Sequence, residues 1–294
     1  MRLNGVEIED TFAEAFKMWS ARLIITAATP QWAETAARVI TGFATSVIGC
    51  GCEAGIERLL PASETPDGRP GASVLFFVSS SKTMEHQLLM RIGQAVMTCP
   101  TTACFNGLSG ERQIKVGAGL RYFGDGFQSS KRLEGRRLWR IPVMEGEFLI
   151  DETFEMSKGV GGGNILILGQ SAEATLAASE AAAAAMGQAP DVILPFPGGI
   201  VRSGSKVGSR YKFLSAATNT AYCPTLRGQV DSALPEGVNS VLEIVVDGLS
   251  EEAIRQAMRV GIEAACQPGI VRITAGNYGG KLGQFQIALR ELWS

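Results

Sequence analysis

Ile8-Glu-Asp-Thr-Phe12 returns as Ile150-Asp-Glu-Thr-Phe154, and the match continues at the same spacing from Leu23-Ile-Ile25 to Ile165-Leu-Ile167. Each apolar triplet leads into an alanine-rich stretch, Gln31 to Val39 and Ala172 to Met186, whose composition favours helix. Working outward, Ala54-Gly-Ile56 is echoed by Gly198-Gly-Ile200 and Ser73-Val-Leu75 by Ser240-Val-Leu242. Arg91-Ile-Gly93 is echoed by Arg259-Val-Gly261, and Pro100 by Pro268. The arginine segments lie in amphipathic stretches, Thr83 to Met97 and Ser250 to Cys266, the second opening on Ser250 ahead of Glu251 and Glu252, a capping signal. Each copy reads strand, helix, strand, then strand, helix, strand, the order of a split βαβ unit. The expected fold class is α+β, an internal duplication of two ferredoxin-like lobes, 1–144 and 145–294. Inserts rich in Gly, Pro and Ser separate the matched segments.

The bulk numbers set bounds. A chain of 294 residues, 46% hydrophobic and 19% charged, holds enough core for one large or two medium domains. A net charge of −2 leaves no electrostatic footprint for nucleic acid. The basic patch Arg136, Arg137 and Arg140 reads as a solvated strand or turn face. The first ten residues lack the apolar core of a signal peptide, and no apolar run approaches the length of a bilayer span. A cytoplasmic location is expected, with no membrane partner. There Cys50, Cys52, Cys99, Cys104, Cys223 and Cys266 are expected as thiols. The Cys50/Cys52 pair has no second pair and no nearby histidine to complete a zinc site. A single histidine, His86, excludes a His-rich metal centre and leaves a Ser-His-Asp triad without support; no metal is expected, and His86 reads as a helix surface or boundary residue. Gly159-Val-Gly-Gly-Gly-Asn164 precedes a strand, whereas a phosphate loop follows one. It reads as a flexible lead-in to Ile165, or as a close backbone approach.

One carboxylate stands out. Ser240-Val-Leu-Glu-Ile-Val-Val-Asp-Gly248 is a β-branched run closed by Asp-Gly, a buried strand ending in a turn. A carboxylate inside such a strand is costly unless it is paired or neutral, and no cation adjoins Glu243 in sequence. Protonation is the cheap escape, because full burial raises a carboxyl pKa by roughly 3–5 units. A carboxylic acid kept neutral near pH 7 can donate a hydrogen bond to a developing oxyanion. Counted from the Ser73 and Ser240 anchors, the first copy carries Phe76 at this place. The other reading is a strand-edge carboxylate facing water.

Seven segments carry a wider likeness. They are Asn4-Gly-Val-Glu-Ile-Glu-Asp-Thr-Phe-Ala-Glu-Ala-Phe16, Thr41-Gly-Phe-Ala-Thr-Ser-Val-Ile48, Glu64-Thr-Pro-Asp-Gly-Arg-Pro-Gly71, Tyr122-Phe-Gly-Asp-Gly126, Pro195-Phe-Pro-Gly-Gly-Ile-Val201, Tyr211-Lys-Phe-Leu214 and Ala275-Gly-Asn-Tyr-Gly-Gly-Lys-Leu-Gly283. In these and in their order the chain resembles the formylmethanofuran:tetrahydromethanopterin formyltransferases over essentially its whole length. The resemblance implies reversible formyl transfer between the amine of a methanofuran-type coenzyme and N5 of a tetrahydromethanopterin-type coenzyme. It also implies a ternary complex with no prosthetic group, the two coenzymes being substrates. Glu243 falls on the family's catalytic glutamate, a protonated acid that stabilises the tetrahedral oxyanion. The Pro/Gly-dense loops coincide with family segments and are expected to line the coenzyme clefts. The candidate coenzyme contacts are Arg69, Arg202, Ser203, Ser205, Lys206, Asn277, Gly279, Gly280 and Lys281, the cations suiting anionic tails.

Cys50-Gly-Cys-Glu-Ala-Gly55 departs from the archaeal pattern, and the modest charged fraction departs from the acidic archaeal enzymes. Both point to the bacterial methylotroph branch, similar to the transferase component of the formyltransferase/hydrolase complexes, which pass the formyl group from the pterin to a methanofuran-like carrier and hydrolyse it to formate, within the oxidation of formaldehyde to formate. A homodimer or homotetramer and contact with formylmethanofuran hydrolase subunits are implied. Two other readings stand beside this one: a noncatalytic furan-coenzyme-binding scaffold subunit of a formyl hydrolase complex, and a regulatory small-ligand module.

Overall fold

Strand β1 (Phe12–Thr26) and its repeat β5 (Phe154–Gly169) organise the chain. Between them come α1 (Pro30–Thr41), β2 (Cys52–Leu60), β3 (Gly71–Val78), α2 (Ser81–Arg91) and β4 (Ala103–Asn106). After β5 come α3 (Ala172–Met186), β6 (Val192–Ile193), β7 (Ser240–Gly248), α4 (Glu251–Ala265) and β8 (Ile270–Thr274). The structure is a computed structural model that describes residues 1–133 and 135–293. The fold is mixed α+β. No described helix is long and apolar enough to cross a membrane.

The four long helices start in the same way. The hydroxyls of Thr29, Ser80, Ser171 and Ser250 accept from the third residue on, at 3.4, 3.2, 3.2 and 3.1 Å. Each satisfies an orphan N–H and contributes about 1 kcal/mol. The sequence expectation for α3 matches its observed bounds, and α4 starts one residue after its cap. The expected Thr83–Met97 helix becomes α2 followed by one wide π turn, Ile92–Val96.

The chain packs as two compact units, 18–159 and 1–17 with 160–294. The repeat halves 1–144 and 145–294 and these units divide the chain at different places, because the N-terminal arm packs with the later part of the chain. In the unit 18–159 the strand order is β4-β1-β3-β2, every neighbour antiparallel. In the other unit the order is β8-β5-β7-β6, again antiparallel, and Val6–Ile8 adds to β8 in parallel. Arg136, Arg137 and Arg140 are not merely solvated: they pair across a hairpin with Asp151, Glu152 and Glu147. His86 is exposed on α2, and the six cysteines are free.

Two expectations are corrected by the register. The first concerns the glycine run at 159–163, which lies inside β5 and is neither lead-in nor loop. It forms a bulge between Val160 and Gly163, and the Gly162 N–H donates to Asp247 Oδ1 at 2.8 Å. Small residues are needed because a Cβ at Gly163 would lie 2.5 Å from Ile254 Cγ2 on α4. The second concerns the partner of Glu243 in the first copy. Ile24 of β1 faces Ser73, and its repeat, Leu166 of β5, faces Glu243. The caps Ser80 and Ser250 give the same alignment. The counterpart of Glu243 is therefore Ser73; Phe76 corresponds to Val246.

Candidate active site

Strand β7 alternates. Ile244 and Val246 are fully buried with Ile254, Met258 and Ile262 of α4. Glu243, one residue off that phase, must point to the opposite face. That face is covered by the long connection through 201–239 and by the segment 275–283. Leu166, Leu168 and Val238 form a separate small core there, with Tyr222, Leu234 and Val241 packed on it. The strand is thus buried on one side and roofed by loops on the other, which is how a carboxyl can be half-buried yet reachable.

Among the described residues the Glu243 carboxyl takes no hydrogen bond and no ion pair. Burial alone pushes it up to about 7, so near neutrality the acid and the carboxylate coexist. Its backbone is anchored by Val201: Glu243 N–H donates to Val201 O at 3.0 Å, and Val201 N–H to Glu243 O at 2.7 Å. This bridge delivers the segment that follows, Arg202 to Lys206, beside the acid.

Two clefts meet at Glu243. One, of about 230 Å³, is bounded by Thr11, Asn164, Ser205, Lys206, Asn277 and Tyr278 among others. The other, of about 160 Å³, is bounded by Arg202, Ser203, Cys223 and Val241 among others. Leu166, Asn219, Tyr222 and Glu243 belong to both. Burial pushes the Tyr222 phenol up.

The segment 275–283 is held from two directions. At one end Asn164 Oδ1 accepts from Gly276 N–H at 2.5 Å while its Nδ2 donates to Gly276 O at 3.1 Å. At the other, the buried carboxylate of Glu14 accepts from the backbone N–H groups of Tyr278, Gly280, Leu282 and Gly283, the last three at 3.1, 2.9 and 2.9 Å. Burial alone would push Glu14 up, but these four donors outweigh it and hold the carboxyl below the usual range.

The expected site residues fall into groups. Ser205, Lys206 and Asn277 share the first cleft with Glu243, and Arg202 and Ser203 share the second. Lys206 Nζ donates to Thr220 Oγ1 at 2.7 Å. Gly279 and Gly280 sit in the segment that Glu14 holds, both at φ 72°, and bound neither cleft. Lys281 is exposed and bounds neither cleft. Arg69 lies in the unit 18–159 and is occupied: its donors reach Asp67 Oδ2 at 2.8 Å, Thr26 Oγ1 at 3.0 Å and Thr101 O at 2.5 Å. Sequence reasoning passes over Glu14, Asn164, Tyr222 and Tyr278. For Glu14 a signal exists, since Ala13-Glu14-Ala15-Phe16 is another carboxylate in an apolar strand. Among the described residues no three His, Cys, Asp or Glu side chains gather as a metal site.

Comparison with known proteins adds the family context. A family model described as formylmethanofuran-tetrahydromethanopterin formyltransferase matches residues 1–143, and one described as its proximal lobe matches residues 146–292. A formylmethanofuran–tetrahydromethanopterin formyltransferase of Methylococcus capsulatus is 60% identical, with 99% of each chain covered. The solved formyltransferase of Methanosarcina barkeri superposes with a TM-score of 0.95 at 52% identity, covering 100% of both chains. A chain of the Methylorubrum extorquens formyltransferase/hydrolase complex, solved with methylofuran, superposes with a TM-score of 0.98 at 53% identity, covering 100% of this chain and 99% of that one.

Proposed function

Because the chain belongs to the formylmethanofuran–tetrahydromethanopterin formyltransferase family, we propose that it moves a formyl group reversibly between a methanofuran-type amine and N5 of a tetrahydromethanopterin-type carrier. The observation that carries this reading is Glu243, an unpaired acid on the wall common to two clefts. A transfer between two carriers needs two sites that open on one reacting centre, and two clefts sharing Glu243 support that reading.

The chemistry follows from what the site holds. The pterin N5 attacks the formyl carbon, forming the new N–C bond. The carbonyl π electrons move to oxygen, and the protonated Glu243 donates a hydrogen bond to that oxyanion. When the tetrahedral intermediate collapses, the bond to the furan amine breaks; the N5 proton is given up and the departing nitrogen takes one. No net proton is consumed. A preorganised donor of this kind is worth about 3–4 kcal/mol of barrier, and holding two carriers in attack geometry supplies much of the remainder. Ser205, Lys206 and Asn277 are proposed contacts in one cleft and Arg202 and Ser203 in the other, with the cations suited to anionic tails.

The same reading extends to architecture and setting. The halves 1–144 and 145–294 are proposed as duplicated ferredoxin-like lobes, a reading supported by the 4-1-3-2 antiparallel order found on both sides. A cytoplasmic homo-oligomer, and assembly with hydrolase subunits as in the methylofuran-bound relative, complete the proposal.

The test is formyl transfer between an N-formyl furan-amine donor and a tetrahydromethanopterin-type acceptor by the purified chain and by Glu243→Ala. Activity in the wild type, with the variant folded, binding and down by about 10²–10³-fold, is the expected result. A wild type that binds the furan carrier without turnover overturns the enzyme reading in favour of the scaffold subunit.

A further inference from the structure

Glu14 lies in β1 opposite Gln286, with none of its surface exposed. Both of its oxygens are used. Oε2 accepts from Tyr278 and Gly280, and Oε1 from Leu282 and Gly283. Four backbone N–H groups from one short segment thus converge on a single carboxylate, a backbone nest closed around an internal anion. The segment between β8 and the strand Phe285–Ala288 has no ladder of its own, and Gly279 and Gly280 both take left-handed φ. Its shape is therefore set by the side chains that grip it.

Asn277, between the Asn164 clamp on Gly276 and the Glu14 nest, and Tyr278, the first donor of that nest, bound the cleft of Glu243. Asn277 is tied further, with Nδ2 donating to Thr11 Oγ1 at 3.1 Å and to Phe12 O at 3.2 Å. The Tyr278 phenol is pushed up by burial first and then by the charges of Glu243 and Glu14, so it senses the acid across the cleft. Two family segments at opposite ends of the chain, 4–16 and 275–283, meet through this one carboxylate.

We propose that Glu14 is a positioning residue for formyl transfer. Its carboxylate, acting through the backbone of 278–283, sets Asn277 and Tyr278 against the carrier that occupies the larger of the two clefts beside Glu243. Glu14 itself touches neither carrier. The proposal rests on the formyltransferase reading above.

Glu14→Gln is the test. A carboxamide presents an NH2 group to donors that need an acceptor, so half of the nest is lost with little change of volume. Hydrogen exchange at the amides of Tyr278, Gly280, Leu282 and Gly283 should rise. By calorimetry and kinetics the variant should lose affinity for one of the two carriers and keep the wild-type affinity for the other. Its kcat/KM should fall by about 10²-fold, the scale of a misplaced contact, and Glu14→Asp should recover part of it. A general loss of stability would weaken both carriers alike or neither. Gly280→Ala gives a second route should Glu14→Gln fail to fold. An alanine is strained there at the left-handed φ of 72°, and its Cβ crowds the end of the Gln286 side chain, so the same segment is perturbed with Glu14 intact. Loosened amides with both affinities and kcat at wild-type values would overturn the proposal, as would amides that stay protected. A wild type that transfers no formyl group would overturn the parent reading instead, while the one-carrier binding loss would still decide the role of Glu14.

Discussion

Ser73 and Glu243 occupy the same place in the two halves, one opposite Ile24 and the other opposite Leu166. Their surroundings differ in one decisive respect. The Ser73 hydroxyl donates to Glu57 at 2.6 Å, and Glu57 receives both Arg22 Nε and Nη2 at 2.8 and 2.7 Å. In the second half Asn164 stands where Arg22 stands in the first, so no guanidinium comes from that position, and among the described residues the Glu243 carboxyl makes no ion pair. The first copy uses its polar position in a satisfied ion pair; the second leaves a lone acid at the edge of open space.

Activity should depend on the proton of Glu243. With the carboxyl pushed up to about 7 by burial, the donor is present at lower pH and is lost as pH rises through that value, so kcat should fall on the alkaline side. Glu243→Gln keeps an N–H donor that does not titrate. Its pH–rate profile from about pH 6 to about pH 8.5 should be flat where the wild type declines, with a rate above that of Glu243→Ala.

Stability should carry the same signature with a fixed sign. The unfolded carboxyl titrates near 4.5 and the folded one at about 7. Between these values the native state binds more protons than the unfolded state, so stability falls as pH rises across the window and levels off above it. The full span is about 3 kcal/mol. Denaturant titrations of wild type and Glu243→Gln at about pH 5 and about pH 8 should show the pH dependence shrinking by that order in the variant.

Ser73→Ala removes the serine bond to the Glu57 carboxylate and leaves the arginine fork in place. A loss of about 1–2 kcal/mol is expected in a urea titration, with formyl transfer unchanged.

Gly163→Ala should be costly for its size. The new methyl meets Ile254 Cγ2 at 2.5 Å and Val246 Cγ1 at 3.1 Å in a closed core, and overpacking of this kind costs about 1–3 kcal/mol. Thermal unfolding of the variant checks it.

Arg69→Ala separates structure from binding. Its donors are committed to Asp67, Thr26 and Thr101, so a stability loss of about 1–3 kcal/mol with both KM values unchanged is the expected outcome. A raised KM for either carrier would restore it to the carrier site.

Much of this is legible in the chain. Hydroxyl caps, alanine-rich windows and a carboxylate in a β-branched run are local signals, and they locate the helices and Glu243. The register is not legible, because Ser-Val-Leu recurs by chance three residues from the true alignment; the caps Ser80 and Ser250 are the better anchors. Glu14 escapes notice for a different reason. Its partners are backbone N–H groups more than 260 residues away, and backbone donors leave no mark in side-chain spelling. The glycine run at 159–163 misleads because its smallness serves α4 packing, which emerges only when the helix is laid across the strand.

The nest around Glu14 also fixes a timetable. Residues 18–159 form a unit continuous in sequence, free to close while the ribosome is still at work. Glu14 is synthesised before that unit, yet its donors at Tyr278 to Gly283 arrive more than 260 residues later, on the order of tens of seconds at cellular elongation rates. Until then the apolar strand around it waits without its Phe285–Ala288 neighbour, an open edge of the kind that holdase chaperones shield. The wall of the larger cleft beside Glu243 is in this sense a late product of synthesis: it is complete only when 275–278 has been made.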